Sequence, residues 1–320
     1  MMPHHWWTAA AVTLTSFAVT ATLTSLLVRI AGPALARRTA RYAPEARARF
    51  LFALRIVPGV LALGWSLGVA LPVFLYFEPP GSEERLARTL IVLAAAGAAI
   101  LARGAWRARA CWRATGTVLR GWEARGRRLD MSEAPMPVFA VEESFPTVAV
   151  VGFFRPALFI AERVLRECTP AEVRAMVLHE CAHVTHRDNL KRFLMRACPD
   201  AVQRNSALDL AWARASEEAA DARAAGGDRA RALDLAQALI RVARLAPRVS
   251  TLEVASAFYL GGSIEARVRQ LVEPADSLPD PSRPFGWVLA CATAAVGAGF
   301  IATAPRTLHQ LMEVAVRHLP

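Results

Sequence analysis

Residues 169–190 read TPAEVRAMVLHECAHVTHRDNL. Thr169 and Glu172 have the spacing of a capping box, and Pro170 falls at the first helical position, so a helix is expected to open here. Within it, His179 and His183 stand four residues apart and share one face, so both imidazoles can reach a single metal ion. Glu180, next to the first of them, is placed to act as general base on a water. Cys181 is two residues from His179, points off that face and reads as core. The helix is expected to weaken at Arg187-Asp188-Asn189, with Asp188 capping a second helix that ends before Pro199.

A catalytic zinc site has three protein ligands and an open fourth position. The later stretch Glu217-Glu218-Ala219-Ala220-Asp221 supplies carboxylates. Glu217 and Asp221 share a helix face, so if Glu217 binds the metal, Asp221 can accept the second N–H of a liganding histidine. Glu218 points about 100° away, and a rotation of the helix exchanges the roles. His186 is a weaker rival. No third histidine follows with the glycine spacing of the longer metzincin motif.

Outward from this core the chain turns apolar. Of 320 residues, 54% are hydrophobic, and the mean hydropathy is +0.29. The excess is clustered, which excludes an ordinary soluble globule. Trp6 to Val28 is a run of 23 residues without a charge, and Ile56 to Phe77 is one of 22. Each clears a hydrocarbon layer of roughly 30 Å at about 1.5 Å per residue. Thr89 to Ala102 has only 14 residues and spans if Leu86 and Trp106 join it. Phe285 to Ala304 is a fourth run, of 20 residues. Ala34-Leu35-Ala36 resembles a signal cleavage site. No Lys or Arg precedes Trp6, however, and the apolar run is too long for a signal peptide.

The formal charge is +11, and Lys191 is the sole lysine among 38 cations. Arg37, Arg38, Arg41, Arg47 and Arg49 follow the first run; Arg103, Arg107, Arg109, Arg113 and Arg120 follow the third. The positive-inside rule then puts the first loop and residues 106–283 in the cytoplasm. Trp106, Trp112 and Trp122 fit an interfacial aromatic belt, or packing against the next domain. Direct nucleic-acid binding is not expected, since the arginines are used near membrane ends. Five cysteines show no C-x-x-C spacing and suit a reducing compartment.

The expected architecture is an α-helical integral membrane protein with four transmembrane helices and an inserted cytoplasmic α+β zincin peptidase domain. Residues 1–105 hold three spans, at about 6–28, 56–77 and 86–106. Residues 106–283 form the peptidase, 284–304 the fourth span and 305–320 a short external tail. Residues 136–161 read as extended, from Val138 to Val141 and from Thr147 to Phe154. Further helices are expected at 207–224, 229–245 and 264–272, the last capped by Ser263.

Several stretches together resemble the BlaR/MecR-type membrane zinc metallopeptidases, the antirepressor signal transducers of the bacterial beta-lactam response. They are Val151 to Pro156, Thr169 to Glu172, His179 to Leu190, Glu217 to Asp221 and Gly262 to Pro274, with the flanking spans. The resemblance implies one zinc ion per chain on His179, His183 and Glu217, with Glu180 as base. It also implies a gluzincin-like domain facing the cytoplasm from the bacterial inner membrane. In such enzymes an edge strand holds the substrate backbone, and Val150, Val151 and Gly152 are the candidates for that role.

Two classes of function follow. One is an endopeptidase that cleaves a cytoplasmic protein in transmembrane signalling, a transcriptional repressor or the chain itself being the candidate substrates. A variant of it is a membrane quality-control protease. The other is a non-catalytic transducer braced by zinc, against which Glu180 argues. Tyr259, Arg267 and His186 are candidate oxyanion donors. The family's penicillin-binding sensor domain needs Ser-x-x-Lys. Residue 188 is Asp and Lys191 stands alone, so self-acylation is not expected. The stimulus is expected through the spans, the outer loop near 78–88, or a separate sensor partner.

Overall fold

The structure is a computed structural model that describes residues 2–77, 88–143, 146–201, 206–245 and 264–273. The fourth span, the tail, the outer loop at 78–87, Ser263 and Tyr259 lie outside the described residues.

Among the described residues, three helices are long and apolar enough to cross a membrane. The first, α1, is Met2–Arg38. The second run comprises α2, Pro44–Trp65, a π-helical turn at Ser66–Ala70, and α3, Leu71–Phe77. The third, α4, is Arg88–Arg125. Small residues let these helices meet closely: a β-carbon on Gly97 of α4 would collide with the Leu14 carbonyl oxygen of α1.

Helix α4 extends without a break well past the expected span, and this separates its three tryptophans. Trp122 stacks edge-on against Phe159, centroids 5.2 Å apart, inside the domain beyond. It is therefore a packing residue and not part of an aromatic belt. Trp106 and Trp112 remain exposed.

That domain is built on a sheet of β1 (Arg127–Leu129), β2 (Val138–Val141), β3 (Val148–Val151) and β4 (Ala157–Ala161), in the order β1-β2-β4-β3. β2 and β4 run parallel, and the outer pairs are antiparallel. The central strand β4 is buried along its whole length, as its unbroken apolar sequence requires. Phe139 and Trp122 cover one side of it. The helices α5 (Glu162–Glu167), α6 (Pro170–His186) and α9 (Arg229–Leu245) supply the main core on the other. β1 was not anticipated, because Arg-Arg-Leu carries no apolar alternation; its charges suit a sheet edge.

The capping box of α6 forms in both directions. Glu172 N–H donates to Thr169 Oγ at 3.2 Å, and Thr169 N–H donates to Glu172 Oε2 at 2.7 Å. Such a cap is worth about 1 kcal/mol. The helix stops at Arg187, which adopts the left-handed conformation with φ 55°. Helix α7 (Asp188–Ala197) starts at the next residue, and α8 spans Ser206–Ala225. Asp188 does not cap α7: no side-chain cap bond is present there, because its carboxylate turns inward toward His183. The last described helix, α10, is Ile264–Val272.

The long apolar helices and the helices that follow the sheet share one core. Val28 of α1 and Leu51 of α2 pack with Met195 of α7 and with Leu208, Trp212 and Ala215 of α8. Some of the arginines that the sequence offers as topology signals have partners here, Arg47 and Arg107 among them, and so does Arg55, which precedes the second apolar run. Buried Arg55 binds Asp200 and Asp209, each at 2.8 Å. Arg107 donates to the Cys198 carbonyl at 2.8 Å, and Arg47 meets Glu218 at 3.1 Å.

Candidate metal centre

Helix α6 places His179, Glu180 and His183, and α8 places Glu217 and Asp221. The Nε2 atoms of His179 and His183 lie 3.1 Å apart. Glu217 Oε2 is 3.5 Å from His179 Nε2, and its Oε1 is 3.6 Å from His183 Nε2. Atoms about 2.0–2.1 Å from a tetrahedral zinc ion are about 3.3–3.4 Å from one another. The donor set, two imidazoles and a carboxylate, and its spacing therefore both fit zinc. All three residues are buried.

The other nitrogen of each imidazole is also committed. Asp221 Oδ1 lies 2.9 Å from His179 Nδ1, and Asp188 Oδ2 lies 2.8 Å from His183 Nδ1. A proton on each Nδ1 leaves each Nε2 lone pair facing the gap. Asp188 also accepts from Ser216 Oγ at 2.7 Å and Lys191 Nζ at 3.2 Å.

Arg267 of α10 is buried against the same carboxylates. Its Nε and Nη2 grip Asp221 bidentately at 2.8 and 2.7 Å, and Nη1 meets Glu217 Oε2 at 3.1 Å. As an oxyanion donor it is thus already engaged, and its contacts here hold Glu217 and the Asp221 carboxylate beside His179. Arg192 approaches Glu217 Oε1 at 3.5 Å while lying over the Trp212 ring.

The electrostatics are those of a cation site. Burial by itself lowers the His183 pKa, but the Glu217 charge and the Asp188 hydrogen bond outweigh it and raise the value to about 10. His179 is also raised, burial being overcome by Asp221 and Glu217. Burial would raise the Glu217 pKa, yet His183, His179 and Arg267 hold it well below the usual carboxylate range.

The rivals fall elsewhere. Glu218 turns to Arg47. His186 Nε2 is 3.8 Å from Glu45. Burial, with Glu180 and Glu133 nearby, pushes the Cys181 thiol up to about 11, and its sulfur sits 3.7 Å from the Glu133 carbonyl oxygen.

Strand β3 lies at the sheet edge beside α6. Ala161 N–H donates to the Thr147 carbonyl, so by antiparallel alternation Thr147, Ala149 and Val151 bond to β4, while Val148 and Val150 face outward. Of the three substrate-strand candidates, Val151 therefore has its backbone groups turned toward β4. Val150 N–H donates to Glu180 Oε2 at 3.0 Å, and Asn189 Nδ2 donates to the carbonyls of Val150 at 2.8 Å and Gly152 at 3.3 Å. Gly152 makes the turn after the strand, with φ 112° and no room for a β-carbon, which would lie 2.6 Å from the Arg155 carbonyl oxygen.

Sequence reasoning missed three roles: Asp188 behind His183, Asn189 on β3, and Arg267 on Glu217 and Asp221. Asp188 and Asn189 sit in the stretch that carries the family resemblance, which was the available signal.

Two histidines from one helix and a glutamate from another, closing on a buried gap beside an edge strand, define a metallopeptidase-type centre. Residues 123–275 match the family model of Peptidase family M48, which supports a zinc metallopeptidase. The matched segment contains the sheet and every residue of the centre. No curated protein and no solved structure matches the chain.

Proposed function

We propose that the protein is a membrane-bound zinc endopeptidase, with His179, His183 and Glu217 as ligands of one zinc ion and Glu180 as general base. The observation that carries this reading is the spacing of the donor groups, 3.1 Å between the two Nε2 atoms and 3.5 and 3.6 Å from them to the Glu217 oxygens, with a carboxylate behind each imidazole.

When bound, zinc supplies Lewis acidity, polarising a scissile carbonyl and lowering the pKa of a water. Glu180 takes the proton from that water and delivers it to the leaving amine nitrogen. Asp221 and Asp188 keep the imidazoles in one tautomer, and Arg267 holds Glu217 in place. A substrate lying along the outer edge of β3 would meet Val148 and Val150 and would take over the Val150 N–H from Glu180, freeing the base.

In this reading the peptidase elements face the cytoplasm of a bacterial inner membrane, as the arginine-rich helix ends suggest. The substrate is a cytoplasmic protein, a transcriptional repressor or the chain itself, as the BlaR/MecR-type resemblance suggests. A separate partner serves as sensor.

The test is Glu180→Gln in the purified full chain, with zinc measured by mass spectrometry and proteolysis on an unfolded protein substrate. Zinc content is expected to stay near one per chain while cleavage is lost. Full cleavage in this variant would remove the mechanism.

A further inference from the structure

The turn after β3 carries Phe153 and Phe154 into an aromatic cluster that the metal centre does not use. Phe153 is 4.8 Å from Phe193 of α7 and 6.0 Å from Trp112 of α4, centroid to centroid. Phe154 is 6.0 Å from Trp112. This patch is not core: Phe154 is 68% exposed, Trp112 53% and the adjoining Leu194 42%. Exposed arginines flank its residues along the chain: Arg109 and Arg113 on either side of Trp112, Arg155 after Phe154, and Arg196 three residues after Phe193. Exposed apolar surface ringed by charge marks an interaction site.

Its place in the fold selects the occupant. Helix α4 is continuous from the apolar run through Arg103 to Trp112. The foot of α7 touches α4 at the same level: a β-carbon on Gly104 would lie 2.9 Å from the Ala197 carbonyl oxygen. Phe193 is then one turn, about 6 Å, and Trp112 eight residues, about 12 Å, from that level. The headgroup layer adds about 5–7 Å beyond the hydrocarbon, and aromatic and arginine side chains reach across the remainder. Aromatic rings with a cationic rim suit that layer and its anionic lipids.

We propose that this patch, centred on Phe154 and Trp112, docks on the lipid headgroup surface and ties the end of β3 to the membrane. The inference rests on the reading of α1, α2 and α4 as spans. It does not depend on proteolysis. It implies that a substrate segment enters β3 from the membrane-proximal side.

The test uses the full chain reconstituted in vesicles containing phosphatidylglycerol, with a photo-crosslinking benzoylphenylalanine at one position at a time. Position 154 is compared with 23, on the exposed face of α1, and 233, exposed on α9. Lipid adducts are read by intact mass spectrometry. Adducts are expected at 23 and at 154, each several-fold above 233. Adducts at 23 with position 154 no higher than 233 would overturn the docking while leaving the spans intact. A crosslink from 154 to protein alone would also overturn it. No lipid adduct at 23 would overturn the spanning reading and the proposal together.

Discussion

Asp188 Oδ2 lies 2.8 Å from His183 Nδ1, although the two residues belong to different helices separated by Arg187. The left-handed turn at Arg187 brings them together. It carries the carboxylate back beneath the imidazole of the preceding helix, where Ser216 and Lys191 hold it. Burial would raise the Asp188 pKa, but His183 and Lys191 lower it, so it stays ionised.

Removing that charge while keeping the shape is expected to weaken the metal site. Asp188→Asn should lower zinc affinity by about 10–100-fold, the usual effect of losing a carboxylate behind a liganding histidine. Competition against a chelator of known affinity measures it. An unchanged affinity would mean that His183 needs no orienting partner.

The two neighbouring glutamates should separate cleanly. Glu217→Ala is expected to lose bound zinc, whereas Glu218→Ala should keep it. The second variant gives up only the partly exposed bridge to Arg47, worth at most about 1 kcal/mol. Metal analysis of both proteins decides the matter, and the reverse pattern would shift the ligand by one position.

Stability of the metal-free protein should fall as pH rises. The His183 pKa is raised to about 10 in the fold, against about 6.5 unfolded. Its protonated form therefore stabilises the native state fully below about pH 6.5, and that contribution is lost as pH climbs toward 10. Denaturant titrations of chelator-treated protein across this range should show the decline, and added zinc should release protons on binding. A flat profile would contradict the charge balance described for the site.

Arg55 joins the second long apolar run to the segment matched by the family model, through Asp200 and Asp209. Arg55→Ala leaves the Asp200 carboxylate buried without that partner. Breaking a buried pair in this way typically costs about 3–5 kcal/mol, although Arg103 and Arg107 remain near Asp200 and reduce the loss. Unfolding in detergent micelles should register a clear destabilisation. Wild-type stability would show that Arg103 and Arg107 suffice.

Topology can be tested separately. Reporter fusions at Gly81 and Gly227 are expected on opposite sides of the membrane, and a common side for both would remove the span between them.

Much of the centre could be read along the chain because helical periodicity acts locally. Four-residue spacing alone places His179 with His183 and Glu217 with Asp221, and the Thr169–Glu172 cap marks where the first helix opens. Uninterrupted apolar runs likewise announce long helices, since length and the absence of charge are enough. What spacing cannot convey is which residues from distant segments face one another. Glu217 rather than Glu218 turns to the histidines because α8 packs on α2 with Glu218 drawn to Arg47. Arg267 reaches Glu217 and Asp221 because α10 folds back over α8. Val150, not Val151, presents its backbone outward because the pairing of Thr147 with Ala161 sets the register of β3. Trp122 and Trp112 lie on one continuous helix, yet one is enclosed by the sheet and the other left exposed. Those choices depend on packing and burial between elements far apart in sequence, where removing charge and apolar surface from water decides which contact is kept.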